Sequence, residues 1–233
     1  MKMKPGRFIF LGLMCAVTTA IGAEKASYDG KDWAFLDRAQ VLKAAAEITV
    51  AKYPDSDEAT VDKKMVRVYR ADGTGGCQDE SFVKVLTEKG KRNNRSLSLY
   101  YMLPYSTAEV VQIEVIKPGG EAEKVDIAAN SKEMIDDSQM GANIYDPNSK
   151  ILRVNIPKVE VGDVVHSVTR TTIHRAVIPS EWADDNVFEG SGYIRHLIYE
   201  IYAPQDKPLK KIVLRDEVKG TVKHSTEESG AHG

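Results

Sequence analysis

The sequence predicts a mainly β protein, an antiparallel β-sandwich entered through one N-terminal helix. Three observations lead there. Beyond residue 60 the apolar residues recur with a period of two, the mark of strands with one buried and one wet face. Turn signals punctuate these segments at the short spacing of sandwiches. No rhythm of strand, helix and strand appears, which argues against a parallel nucleotide-binding sheet.

The elements follow in order. Asp32 to Ala51 reads as the helix, with Trp33, Leu36, Ala39 and Ala46 at helical spacing, Ala44-Ala45-Ala46 adding propensity and Asp32 as N-cap. Tyr53-Pro54 ends it, because a residue before proline avoids the helical region. Asp55 to Thr60 is acidic and reads as a linker. Lys64 to Tyr69 alternates, Asp72-Gly73 with Gly75-Gly76 signals a turn, and Phe82 to Leu86 returns. Further strands are predicted at Leu97 to Tyr101, Glu109 to Ile116, Val125 to Ala128, Lys150 to Ile156 and Val164 to Ile173. Three more follow at Gly192 to Tyr202, Lys210 to Leu214 and Val218 to Val222. The tail from Ser225 to Gly233 is polar, without periodicity, and is expected to be disordered.

The first residues read as an address. Lys2, Lys4 and Arg7 precede an uncharged apolar run from Phe8 to Ile21, small residues follow at Gly22 and Ala23, and Glu24-Lys25 close it. That order is a secretory signal peptide, and the run is short for a membrane span. The expected organisation is therefore a signal peptide over 1–23, a helical segment over 24–54, a sandwich over 55–224 and a tail over 225–233. The expected location is exported, periplasmic or extracellular, with no membrane attachment after cleavage. Cleavage removes three positive charges, so the formal charge moves from −2 to −5. An acidic balance argues against a nucleic-acid partner. It also removes Cys15 and leaves Cys77 as the one thiol, so no internal disulfide is expected.

Candidate chemistry is sparse. A thiol nucleophile needs an imidazole beside it, and Cys77 has His166, His174 or His196 as possible partners. Its surroundings, Gly75-Gly76-Cys77, instead look like a hairpin tip. The nearby glycines lack the Lys and Ser or Thr of a phosphate loop. His166 and His174, on one strand, would stand roughly 26 Å apart at ~3.3 Å per residue, too far to share a metal. No metal or cofactor is expected. The acidic groups Asp55, Asp57, Glu58 and Asp184, Asp185 fit solvated turns. Trp182, Phe188, Tyr193, Tyr199 and Tyr202 concentrate aromatics in one stretch, and Trp182, Phe188 and Tyr193 are the candidate binding patch. Such rings serve either a ligand platform or, more commonly, a core or domain interface.

Four stretches carry a family resemblance: Lys84 to Lys91, Val115 to Gly120, Ile156 to Val165, and Ile178-Pro179 with Trp182, Phe188 and Tyr199 to Pro204. The sharpest is Pro157 followed by Val161-Gly162-Asp163 entering a strand. In these the chain resembles a bacterial family of domains of unknown function that precede transglutaminase-like domains in exported proteins. The resemblance implies a mostly antiparallel sandwich and supplies no catalytic residues. Its members continue into a domain with a Cys, His and Asp triad, and this chain stops before one could begin. Two accounts fit that end point, a stand-alone accessory version and an incomplete gene product. The expected function is a non-catalytic exported module that binds or positions a protein or cell-envelope glycan, with a transglutaminase-like domain as one candidate partner. The alternatives are a hydrolase or acyl-transferase built on Cys77 and an adjacent histidine, and the N-terminal part of a transglutaminase-like cysteine protease.

Overall fold

The computed structural model describes residues 33–138, 140–142, 145–188, 192–216 and 219–226. The predicted signal peptide over 1–23 lies outside the described residues, as do residues 24–32 and 227–233. The helices are α1 (Arg38–Ala46), α2 (Glu88–Asn93) and α3 (Ile127–Asn130). The strands are β1 (Glu58–Tyr69), β2 (Gly75–Val85), β3 (Ser96–Met102), β4 (Ser106–Ile116), β5 (Ala122–Lys124), β6 (Ser131–Ile135), β7 (Ser149–Asn155), β8 (Val164–Ile173), β9 (Tyr193–Ile194) and β10 (Leu197–Tyr202). Among the described residues no helix is long and apolar enough to cross a membrane.

The mainly β sandwich class is borne out. The larger sheet runs β10-β1-β2-β8-β4-β5, with β9 also paired to β1, and the smaller runs β3-β7-β6. Most pairings are antiparallel, but β10 and β9 lie parallel to β1, with Lys63 opposite Leu197 and Ala59 opposite Tyr193. Alternation reports which face a side chain takes and not the direction of a neighbour, so the sequence offered no sign of this.

Several elements differ from expectation. The helix starts at Arg38, not Asp32. Asp37 is the N-cap, its carboxylate accepting from the N–H groups of Ala39 at 3.0 Å and Gln40 at 3.2 Å. Leu36 is drawn out of helical geometry because its N–H donates to the distant Glu80 at 2.7 Å. Glu58–Thr60 is strand rather than linker, since Ala59 is fully buried in the core. Thr87 caps α2, a helix absent from the predicted elements, its hydroxyl accepting from Lys89 and Gly90 N–H at 3.2 Å each. The return expected at Val125 to Ala128 comes earlier, as β5, and Asp126 then caps α3. Residues 210–214 and 219–222 form no strand, and Val218 lies outside the described residues.

Side chains alternate across the larger sheet, so each face has its own cover. Val85, Val110, Ile113, Val115 and Val165 face the smaller sheet, where Val154, Ile156, Leu97, Leu99 and Leu152 meet them. On the opposite face Ala59, Val61, Phe82, Ile116 and Val164 pack against Val41, Ala45 and Ile48 of the N-terminal arm. Further along, Trp33 covers Val66, Val68 and Tyr202. The arm therefore crosses one whole face before β1 begins.

The turn from Pro157 to Asp163 locks the sandwich edge. Asp163, 2% exposed, accepts from Lys117 Nζ and from the Glu160 N–H, each at 2.8 Å. Its own carbonyl accepts from the Val85 N–H, and the Gly162 N–H donates to the Val85 carbonyl, both at 2.9 Å. Gly162 holds φ +97°, a conformation that favours glycine. The Gly-Asp pair is thus a fastening between this turn and β2, and Val159 fills the core beneath it.

Candidate functional site

The face packed on the smaller sheet is only partly covered by it. Toward the β1–β2 hairpin the same face carries Arg67, Tyr69, Cys77 and Asp79, with Tyr199 on β10. An excursion over residues 176–188, between β8 and β9, lies over them. Its Trp182 stacks on Tyr69 with ring centres 4.3 Å apart and planes within 3°. Its Asp184 accepts from the Tyr69 hydroxyl at 2.6 Å and lies 3.8 Å from Arg67 Nε. Phe188 meets Tyr199 edge-on at 5.9 Å, and the Arg67 guanidinium sits 5.6 Å from the Tyr199 ring centre. Arg67 is also paired with Asp79. Burial pushes the Tyr69 and Tyr199 hydroxyls well above the usual phenol range, and the Asp184 carboxylate, which accepts from Tyr69, adds to the rise. Both stay neutral at any physiological pH.

The candidate residues Trp182, Phe188 and Tyr193 do not share one patch. Trp182 and Phe188 belong to this cluster, with their rings taken up by Tyr69 and Tyr199. Tyr193 pairs beside Ala59, ten residues along β1 from Tyr69, or roughly 33 Å at ~3.3 Å per residue. There it stacks on Tyr53 at 3.9 Å and 21° and lines a shallow recess of about 370 Å³ with Lys52, Asp55, Ser56 and Gly192. Sequence proximity does not survive into space here: Trp182 and Phe188 pack on Tyr69 and Tyr199, while Tyr193 opens β9 beside the start of β1.

Cys77 lies inside the Arg67 cluster rather than at an open tip. Burial pushes its thiol up to about 11, with Asp184 and Asp79 adding to the rise and Arg67 opposing it. The three histidines are engaged elsewhere. His166 is buried on the opposite face against Glu80 and Glu114. His174 bonds Thr107 at 2.8 Å, and His196 bonds Asp62 at 2.8 Å. Among the described residues no group of three His, Cys, Asp or Glu is placed to hold a metal ion. Alkylation at Cys77, followed on its own peptide, is expected to keep accelerating toward about pH 11 in the folded protein. A plateau near the ordinary thiol value of 9.0 would contradict the buried setting.

The buried Glu80, His166 and Glu114 were not legible as a group. Glu80 and Glu114 stand in unremarkable alternating strands, and only the registers Phe82 to His166 and His166 to Glu114 bring the three together. A polar residue at an inward strand position was the one available signal.

Comparison with known proteins places the fold. No curated protein matches the sequence. A solved protein from Parabacteroides distasonis ATCC 8503, described as a "putative protease", is similar in fold, with a TM-score of 0.58 at 13% identity. The match covers 65% of this chain and 30% of that one, so the chain spans under a third of that protein's length. The CBM3a-L domain of the Clostridium thermocellum scaffoldin CipA aligns over 55% of this chain and 82% of its own at 14% identity, but with a TM-score of 0.30 it supports no argument. The sequence itself matches a domain of unknown function, DUF3857, over residues 71–231. That span contains the hairpin return, the Gly162-Asp163 fastening and the excursion with Trp182, and the chain belongs to the DUF3857 family.

Proposed function

We propose that the chain is an exported, periplasmic or extracellular module without catalysis of its own, which binds and positions a partner protein. The export reading rests on the order of residues in 1–23 and the non-catalytic reading on the separation of Cys77 from every histidine named above. The observation that carries the choice of partner is the outer side of the 176–188 excursion. Its aromatic rings face inward and are engaged, whereas Val177, Ile178 and Val187 are 72%, 64% and 75% exposed. Aliphatic side chains in that number suit a protein contact. A glycan platform would instead present free aromatic faces, and the recess lined by Tyr53 and Tyr193 is the place to test that second reading. A protease or transglutaminase-like catalytic domain is the first partner to try, given the description of the longer Parabacteroides protein.

The test places a photo-crosslinking residue at Val187 in the protein secreted by its native host and identifies the adducts. A reproducible envelope protein, lost in the Val177→Asp, Ile178→Asp double variant, is the expected result. Saturable binding of soluble peptidoglycan fragments, abolished by Tyr193→Ala, would overturn it in favour of the glycan. Turnover of a peptide panel that disappears with Cys77→Ser would overturn the non-catalytic reading.

A further inference from the structure

The face opposite that partner surface carries a set of buried ionisable groups that binding at the excursion does not use. His166 on β8 stands between two carboxylates. Its Nε2 is 3.0 Å from Glu80 Oε1 and its Nδ1 is 3.4 Å from Glu114 Oε2. Phe82 stacks flat on the imidazole at 4.0 Å and 9°, closing that side to water. The arm supplies the rest. The Leu36 N–H donates to the second oxygen of Glu80 at 2.7 Å, and the Arg38 guanidinium pairs with the Glu114 oxygen that faces His166.

Lys84 stands at the end of this face toward Asp163, and the charged groups nearer the cluster have their own partners. Lys64, opposite Glu80 in register, reaches Glu200 at 3.4 Å. Arg170 bonds Gln78 at 2.9 Å and stands 3.8 Å from Glu109. Asp62, beside Phe82, accepts from Arg195 and lies 2.8 Å from His196. Asp37 caps α1. Two carboxylates, one guanidinium, one imidazole and the Leu36 N–H thus form a closed group, and two of its four contacts, one of them an ion pair, tie the arm to the sheet. The arm contributes no strand to either sheet, so its departure breaks no ladder hydrogen bond.

We propose that Glu80, His166, Glu114 and Arg38 form a pH-operated clasp that fastens residues 33–48 to the sheet near neutrality and releases them in acid while the sandwich stays folded. The sign follows from Glu114. Burial raises its carboxyl, but the bonds from Arg38 and His166 outweigh burial and hold it below the usual value of 4.5. A lowered folded-state value means the stabilisation is complete above 4.5 and is lost as pH falls through the depressed value. Protonation removes the charge that Arg38 pairs with. Release uncovers the apolar floor of Phe82, Ile116 and Val164, and with it Val66 and Val68.

Hydrogen exchange on the full chain, corrected for the intrinsic pH dependence of the amide rate, reads the clasp directly. Between about pH 7 and about pH 3.5, protection over 36–48 is expected to fall by several-fold, with about tenfold as the ceiling for one carboxylate, while the amides of β2 and β8 keep theirs. Arg38 has a side chain 40% exposed, so Arg38→Gln should fold. In that variant the arm is expected to exchange about tenfold faster already at pH 7, with little further change in acid. Simultaneous loss of protection in arm and sheet would overturn the proposal, as would superimposable pH curves for the arm in the parent and Arg38→Gln.

Discussion

Truncating Phe82 to alanine is expected to lower the unfolding free energy by about 3–5 kcal/mol, the range for removing a buried aromatic side chain. Phe82 is 0% exposed and sits where β2 meets the arm, among Val41, Ala45, Val61, Ile116 and Val164. Its ring is also the apolar lid over His166. The vacated volume would adjoin a cluster of ionised groups, so water can enter, and the loss then includes weakened charge pairing as well as lost contacts. Urea denaturation checks this through a lowered midpoint at an unchanged slope. Phe82→Leu, which keeps most of the volume, should lose less than about 1.5 kcal/mol. A Phe82→Ala loss below about 1 kcal/mol would show that the arm does not pack on this face in solution.

Replacing Asp163 by alanine is the second large effect, expected at about 2–4 kcal/mol. The carboxylate is buried and accepts from both Lys117 Nζ and the Glu160 N–H. Without it the Glu160 N–H is left without its acceptor beneath the turn, and the ammonium loses its counter-charge. Lys117 keeps part of its hydration, its side chain being 25% exposed, which holds the loss below that of a fully buried pair. Asp163→Asn retains an oxygen acceptor and should lose less than the alanine variant. The thermal midpoint, read with the exchange rate of the Glu160 amide, separates the two components.

Period-two alternation made β3, β4, β7 and β8 legible, the last to the residue, because each has one face in the core between the sheets, while β4 and β8 turn the other toward the arm and β3 and β7 turn theirs outward. The Pro157 to Asp163 motif was also legible, though only as a turn. Its role as a fastening depends on Lys117 and Val85, which arrive from two other strands. The helix start was misplaced because Asp32 and Asp37 are equally good caps in isolation. Glu80, some 44 residues away, decided between them by taking the Leu36 N–H. β6 was missed because Ser131-Lys132-Glu133 offers no apolar alternation, and its pairing with β7 is dictated by the partner. Trp182 and Phe188 were legible only as part of an aromatic stretch, read with Tyr193 as one candidate binding patch. Their separation from Tyr193 was not, since alternation carries no information about where a long excursion returns.

The parallel seam between β1 and β10 has a consequence for synthesis order. β1 meets β2 across a short hairpin, yet its other neighbour begins only at Leu197. Contacts so remote in sequence close late, since the connecting chain must surrender its loop entropy first. Until then a twelve-residue ribbon has one flank of unpaired amides and carbonyls. Lys63, Lys64 and Arg67 stud that ribbon, and positive charges on a waiting flank repel a second copy of itself. The nascent polypeptide is thereby shielded from zipping to its siblings during the interval before Leu197 emerges.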